Sequence, residues 1–188
     1  MELSEQIRSF VPANEQEQND KAELLRWLES GLDIHVRDSR GAHLTASSWI
    51  VSPDRKQVLM AYHNLYDSWA WTGGHADGDR DLFQVALREA MEETGLTSLK
   101  PLSEEIFSLE ILTVDGHIKR GKYVPSHLHL NVTYLLEADP SAPLRIKPDE
   151  NSGVRWFPAE ELSSCVREPW MMKWIYAKLV QKVLESGI

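Results

Sequence analysis

Three glutamates and two glycines are the residues of this 188-residue chain whose types and spacing best suit chemistry. The stretch from Gly73 to Leu96 reads GGHADGDRDLFQVALREAMEETGL. Asp81, with Gln84 three residues on, has the form of a helix start, and Gly95 that of a stop. At 100° per residue from Leu82, Glu89, Glu92 and Glu93 fall between roughly 280° and 20°, in one patch. Phe83, Leu87, Ala90 and Met91 fall between roughly 80° and 180° and form the expected core face, almost opposite. Like charges at this spacing repel by roughly a few tenths of a kcal/mol per pair, and Arg88 offsets only part of that. Such a patch is either a solvated acidic face or a site for a hard divalent cation, which prefers carboxylate and carbonyl oxygens. Gly73 and Gly74 favour the cation, because backbone without side chains can approach whatever the carboxylates hold.

The same stretch resembles the signature of the Nudix hydrolases, G-x5-E-x7-R-E-U-x-E-E-x-G-U, where U is bulky and aliphatic. Gly74 opens it, Arg88-Glu89 gives the Arg-Glu pair, Ala90 stands at the first U, Glu92-Glu93 follow, and Gly95-Leu96 close it. Six of the seven fixed identities match over 23 residues. The seventh is a charge reversal: Arg80 stands where the motif has its first glutamate, a residue that in the family supports the motif arginine. Asp79 and Asp81 flank it and can replace the lost carboxylate. Direct metal ligation does not usually depend on that position.

The resemblance implies a Nudix-type α/β/α sandwich, of α/β (α+β) class, with a mixed sheet, the motif on a loop–helix–loop, and extra helices at both ends. It implies a Mg²⁺-dependent (or Mn²⁺-dependent) hydrolase that cleaves the diphosphate linkage of a nucleoside diphosphate derivative by attack of water on phosphorus. Its metal ligands would be the Gly73 carbonyl, Glu89, Glu92 and Glu93, with Arg88 orienting the glutamates. The general base would be Glu93 or Glu92, or a late-loop carboxylate. Glu150, in Pro148-Asp149-Glu150-Asn151, is the candidate in that loop. The alternative is a Nudix-fold nucleotide-binding or regulatory module with little turnover, favoured only by Arg80. The isopentenyl-diphosphate isomerases share the fold but use a cysteine near the motif, and Cys165 is far from it.

Other elements must hold these residues in place. Residues 1–22 read as a loose polar lead-in, followed by helical spacing at Leu24, Leu25, Trp27 and Leu28 up to Gly31. This divides the chain into a helical N-terminal lead-in, 1–31, and a main domain, 32–188, that includes the C-terminal helix. Short strands are expected from Ile34 to Ala61, with turns at Ser39-Arg40-Gly41 and Ser52-Pro53-Asp54. After the glycine loop, 72–79, and its helix come strands at about 105–114 and 127–137, a proline-marked loop over 139–150, and a strand through Val154-Arg155-Trp156-Phe157. A packing helix runs over 170–184. In the segment 127–136, Leu128, Leu130, Val132, Tyr134 and Leu136 alternate with His127, His129, Asn131 and Thr133. The polar face is either a solvent face or one wall of the ligand cleft, where His127 and His129 would meet substrate phosphate. His75 lies close to the metal loop by sequence alone. His127-x-His129 also fits half a zinc site, but no second spacing signature completes it. Trp69 and Trp71 could stack on a base, though core packing is the expectation for them, as it is for Trp27, Trp170 and Trp174.

Composition bounds the rest. A net charge of −9 argues against a general nucleic-acid binder. The longest uncharged run, 14 residues from Tyr123 to Leu136, is too short and polar to span a bilayer. The opening MELSEQIRSF lacks the basic start and apolar stretch of a secretory signal, and the single cysteine permits no intramolecular disulfide. A cytoplasmic protein with a small-molecule, nucleotide-type diphosphate substrate is expected, without nucleic-acid or membrane partners. Homodimers are common in the resembled family.

Overall fold

The computed structural model describes residues 2–37, 41–119 and 121–187. The polar opening is helical rather than loose: α1 spans Leu3–Ser9 and α2 spans Glu15–Glu29. Asn14 caps α2 by accepting from the Glu17 amide at 3.0 Å. Ile7 and Leu24 are fully buried. Glu and Gln are good helix formers, so the polar text concealed α1 and the first half of α2, while the end of α2 follows the spacing expected from Leu24 onward. Glu17 is itself fully buried and accepts from Lys182 Nζ at 2.8 Å, a partner 165 residues away that no local pattern announces.

The described residues form an eight-stranded mixed sheet. Its strands are β1 (Ala42–Val51), β2 (Gln57–His63), β3 (Ser68–Ala70), β4 (Thr72–His75), β5 (Lys100–Pro101), β6 (Ser108–Val114), β9 (His127–Glu137) and β10 (Asn151–Pro158), with β7 (His117–Lys119) and β8 (Lys122–Val124) forming a separate hairpin. The main path runs β10-β2-β1-β9-β5, while β3, β4 and β6 add to β2, β1 and β9. β1 lies parallel to β9 and antiparallel to β2 and β4. Between β4 and β5 lies helix α3 (Leu82–Thr94).

The turn at residues 52–54 stands, closed by Ser52 N donating to Gln57 O at 3.0 Å. Of the other expected turn, Ser39 and Arg40 lie outside the described residues. Residues 34–37 are not strand, and β1 starts at Ala42. The glycine segment begins as strand, because Thr72–His75 pair with β1 before the chain turns away.

The sheet is sandwiched between helices. On one face Leu82, Val85 and Ala86 of α3 pack with Leu44, Ala46, Leu130 and Val132. The chain ends in α4 (Leu162–Cys165), α5 (Pro169–Met171), a wider π turn over Met172–Tyr176, and α6 (Ala177–Ser186). Ile175, Tyr176, Leu179 and Val183 cover the opposite face against Trp49, Val51, Leu135 and Phe157. Asn131 and Thr133, expected on a solvent or cleft face, are buried beneath this layer. There Asn131 donates to Glu110 at 2.9 Å, Thr133 to Glu110 at 2.8 Å, and Lys178 to Glu110 at 3.0 Å. Trp69 and Trp71 pack into the same layer as expected, whereas Trp170 and Trp174 remain 48% and 44% exposed and are not packing anchors. No described helix is long and apolar enough to cross a membrane.

Candidate metal centre

Helix α3 meets the sheet through a different face from the one expected. Leu82, Val85, Ala86, Ala90, Glu93 and Thr94 are buried, while Met91 is exposed and Phe83 and Leu87 only partly covered. The buried arc therefore runs through Glu93 and beside Glu89, so these two carboxylates look inward rather than away from the core, while Glu92 stays exposed. Helical winding put the residues in the correct angular order. It could not say which arc faced the sheet, because a wheel assigns carboxylates outward unless a function holds them in.

Two glycines make room for this. A Cβ on Gly74 would lie 2.5 Å from Glu89 Cδ, and one on Gly73 would lie 2.6 Å from the Ala46 carbonyl on β1. The Gly73 amide donates to Glu93 Oε1 at 2.9 Å, which fixes a carboxylate that is only 4% exposed. Burial pushes the Glu93 carboxyl up to about 8, and the neighbouring charges of Glu150 and Glu89 add to the rise against the Gly73 hydrogen bond. Burial likewise raises Glu89, and Glu92 and Glu150 reinforce it while Lys147 opposes it.

The late loop completes the cluster. Asn151 donates to the Glu93 carbonyl at 3.0 Å and the Arg145 amide to the Thr94 carbonyl at 2.8 Å, so the C-terminal carbonyls of α3 tie the loop down. Glu150 is thereby brought to Glu89 and Glu93: one carboxylate oxygen from each lies within 4.8 Å of the others. Glu92 is not in that triad. It is exposed and accepts from Lys147 at 2.9 Å, and Lys147 also pairs with Glu150 at 3.0 Å. Sequence reasoning missed Lys147 and Asn151, since neither belongs to the motif and both act through loop geometry. Three converging carboxylates with no nitrogen or sulfur ligand among them suit a hard oxygen-seeking cation such as Mg²⁺ or Mn²⁺.

Arg88 donates to Asp79 at 3.3 Å, so the aspartate beside the reversed position takes the arginine's contact. Asp81 instead caps α3, accepting from the Gln84 amide at 3.1 Å. Arg80 turns away from the helix, with Nη2 3.1 Å from Asp33 and Nη1 2.9 Å from His35 Nδ1.

The histidines gather at a second place on the sheet. His127 and His129 do share a face of β9, where His75 from β4 and His43 from β1 join them. His43 had no sequence signal, since a single histidine in an apolar strand looks like core. Its ring centroid is 5.0, 4.8 and 4.9 Å from those of His75, His127 and His129. Burial pushes the His129 imidazole down to about 2, and the neighbouring His75, His43 and His127 add to the shift.

Comparison with known proteins agrees with this architecture. The NUDIX domain family matches residues 41–183. The zebrafish (Danio rerio) m7GpppN-mRNA hydrolase NUDT17 is 29% identical over 154 residues, covering 79% of this chain and 46% of its own length. Nudix hydrolase 27 of Arabidopsis thaliana, a chloroplastic protein, is 40% identical over 55 residues, 29% of this chain and 24% of that protein. The chain thus spans less than half the length of these curated relatives. Among solved structures, the Escherichia coli dihydroneopterin triphosphate pyrophosphohydrolase superposes with a TM-score of 0.54 at 16% identity, covering 74% of this chain and 92% of that one. A NUDIX family hydrolase from Clostridium perfringens gives 0.52 at 22% identity, over 76% and 98% of the two chains. With the family's domain matched over most of its length and that fold carrying the inward-facing glutamates, the chain belongs to the NUDIX family.

Proposed function

We propose that the chain is a pyrophosphohydrolase, dependent on Mg²⁺ or Mn²⁺, that cleaves the diphosphate linkage of a nucleoside diphosphate derivative. The observation that carries this reading is the convergence of Glu89, Glu93 and Glu150 within 4.8 Å beside two glycines that cannot carry side chains. A hard divalent ion held there would neutralise the diphosphate and lower the pKa of the attacking water. Glu89 and Glu93 would hold it, with the Gly73 carbonyl beside them. Glu92 would join by exchanging its Lys147 contact. Glu150 is the carboxylate we assign to the water's proton. Glu93 is restrained by the Gly73 amide and Glu89 is packed against Gly74, whereas Glu150 sits on the accessible side of the triad. Arg88, paired with Asp79, would steady the first helical turns of the site rather than touch substrate.

The substrate class follows from the need for an anhydride between phosphates. The zebrafish relative, by its name, acts on a nucleoside joined through a phosphate chain, which is the same linkage. The reading as a binding module drew on Arg80 alone, and the Asp79–Arg88 pair removes most of that ground. The test is product analysis on a panel of nucleoside diphosphate derivatives with Mg²⁺, with Mn²⁺ and with chelator. Metal-dependent release of a nucleoside phosphate, reduced at least about a hundredfold in Glu93→Gln, supports the reading. Folded, metal-binding protein that cleaves nothing on the panel supports the module.

A further inference from the structure

We propose that His43, His75 and His129 form a second metal site, separate from the carboxylate centre and built for a borderline divalent ion of the zinc class. The three residues come from three hydrogen-bonded strands. His43 and His129 are register partners across the parallel β1–β9 pair, and His75 pairs with Thr45, two residues along β1 from His43. One ring nitrogen from each lies within 4.8 Å of the other two. The ring centroids make a nearly equilateral triangle, with sides of 5.0, 4.9 and 4.9 Å. Zinc–nitrogen bonds of about 2.0–2.1 Å in tetrahedral geometry need nitrogens roughly 3.4 Å apart, so each ring nitrogen has to move inward by at most roughly 0.8 Å.

His127 is a second, independent observation. Its Nδ1 lies 2.9 Å from the Pro125 carbonyl, which puts the ring proton on Nδ1 and turns the Nε2 lone pair inward as an acceptor from His129. That Nε2 lies 3.3 Å from His129 Nε2. An imidazole whose outer nitrogen donates to a backbone carbonyl while its inner nitrogen faces a ligand cluster is in the arrangement of a metal-bound histidine with its supporting partner. His127 lies outside the three whose nitrogens converge, so it borders the triad through His129, and the fourth position falls to it or to a water. Among the described residues the converging group holds imidazoles alone, and Asp77, whose charge reaches His43 and His75, is paired with Arg37 at 2.5 Å. An all-imidazole set selects Zn²⁺, Co²⁺, Ni²⁺ or Cu²⁺ over Mg²⁺, the reverse of the preference of three carboxylates. Entry is from the side of His75, His127 and His129, which are partly exposed, while His43 forms the buried floor. His75 is two residues beyond Gly73 on β4, about 7 Å along the strand from the glycine that flanks the carboxylate centre.

The test is a titration of the chelator-stripped full chain with Co²⁺ in the presence of excess Mg²⁺, read by visible absorption and by metal analysis. One Co²⁺ per chain is expected, with the intense absorption of a four-coordinate ion, displaced by one equivalent of Zn²⁺. His75→Gln and His129→Gln should each weaken binding by more than about a hundredfold, beyond the 10–100-fold typical of losing an outer partner. Glu93→Gln should leave the Co²⁺ affinity unchanged. The proposal is overturned by non-saturable binding, by the weak absorption of a six-coordinate ion, by retention of binding in both histidine variants, or by its loss in Glu93→Gln. Should a histidine variant unfold in thermal melts, imidazole NMR signals of the wild type decide. Shifts of several histidines on adding one equivalent of Zn²⁺ support the site, and unmoved signals overturn it.

Discussion

Replacing Gly74 with alanine should damage the carboxylate centre while leaving the fold in place. Gly74 does not adopt a left-handed backbone, so alanine fits its conformation. The new methyl would lie 2.5 Å from Glu89 Cδ and 2.7 Å from both Cγ and Oε1. Ordinary carbon contacts begin at about 3.5 Å, so the end of the Glu89 side chain has to withdraw by roughly 1 Å. That side chain is flexible at its far end, and the cost to folding should stay below about 1 kcal/mol. A displacement of about 1 Å in a catalytic group is enough to lose about a hundredfold in rate, or about 2.7 kcal/mol of transition-state stabilisation. Gly73→Ala is the contrasting case, because its methyl would meet the Ala46 carbonyl of β1 at 2.6 Å and must disturb the sheet itself. The assays are Mn²⁺ affinity by paramagnetic resonance, kcat/KM on a cleaved substrate, and thermal melting. Unchanged metal affinity and kcat/KM in a folded Gly74→Ala protein would refute the assignment of Glu89 to the site.

Four further outcomes follow from particular contacts. Lys178→Met leaves Glu17 and Glu110 fully buried without their shared lysine, which lies 3.2 and 3.0 Å from them. Breaking a buried pair from one side costs about 3–5 kcal/mol, so melting should fall on the order of 10 °C, and a loss under a few degrees would contradict the network's role. Asp79→Ala should cut kcat/KM about tenfold by releasing Arg88, while Arg80→Glu should not reduce activity and should cost less than about 1 kcal/mol, since Arg80 is surface-exposed and faces Asp33 and His35. Acid should weaken the protein through Glu17. Burial alone would raise that carboxyl, but the charge of Lys178, the Ala13 amide and Lys182 together hold it below its ordinary 4.5. Its contribution is therefore complete above about pH 4.5 and lost as pH falls through the lower folded value, and a Glu17→Gln variant should show a flatter acid limb in pH-dependent melts.

The fixed spacing of the motif made the helix, its cap at Asp81, its stop at Gly95 and the identity of the glutamates readable from the chain. It narrowed the partner of Arg88 to Asp79 or Asp81, and only the structure separates them, with Asp79 on the arginine and Asp81 capping the helix. The direction of the helix was not readable, because Glu93 occupies a place that hydrophobicity alone gives to an apolar residue. The helix ending near Gly31 was legible from Leu24 onward, but α1 and the first turns of α2 were not, since there Glu17 is a core residue satisfied by lysines from the far end of the chain. Lys147 and Asn151 act through a loop whose path depends on the carbonyls at the end of α3. His43 and His75 meet the His127/His129 pair only through strand register, a long-range property that no single stretch of sequence carries.

The central claim is that Glu89, Glu93 and Glu150 form one metal-dependent hydrolytic centre. The most direct measurement is product formation from nucleoside diphosphate derivatives by wild-type, Glu93→Gln and Glu150→Gln proteins, each with Mg²⁺ and with chelator. The account predicts cleavage by the wild type with Mg²⁺, none with chelator, and losses of at least about a hundredfold in both variants with melting temperatures close to wild type. Undiminished turnover in either folded variant, or turnover that persists in chelator, would contradict it.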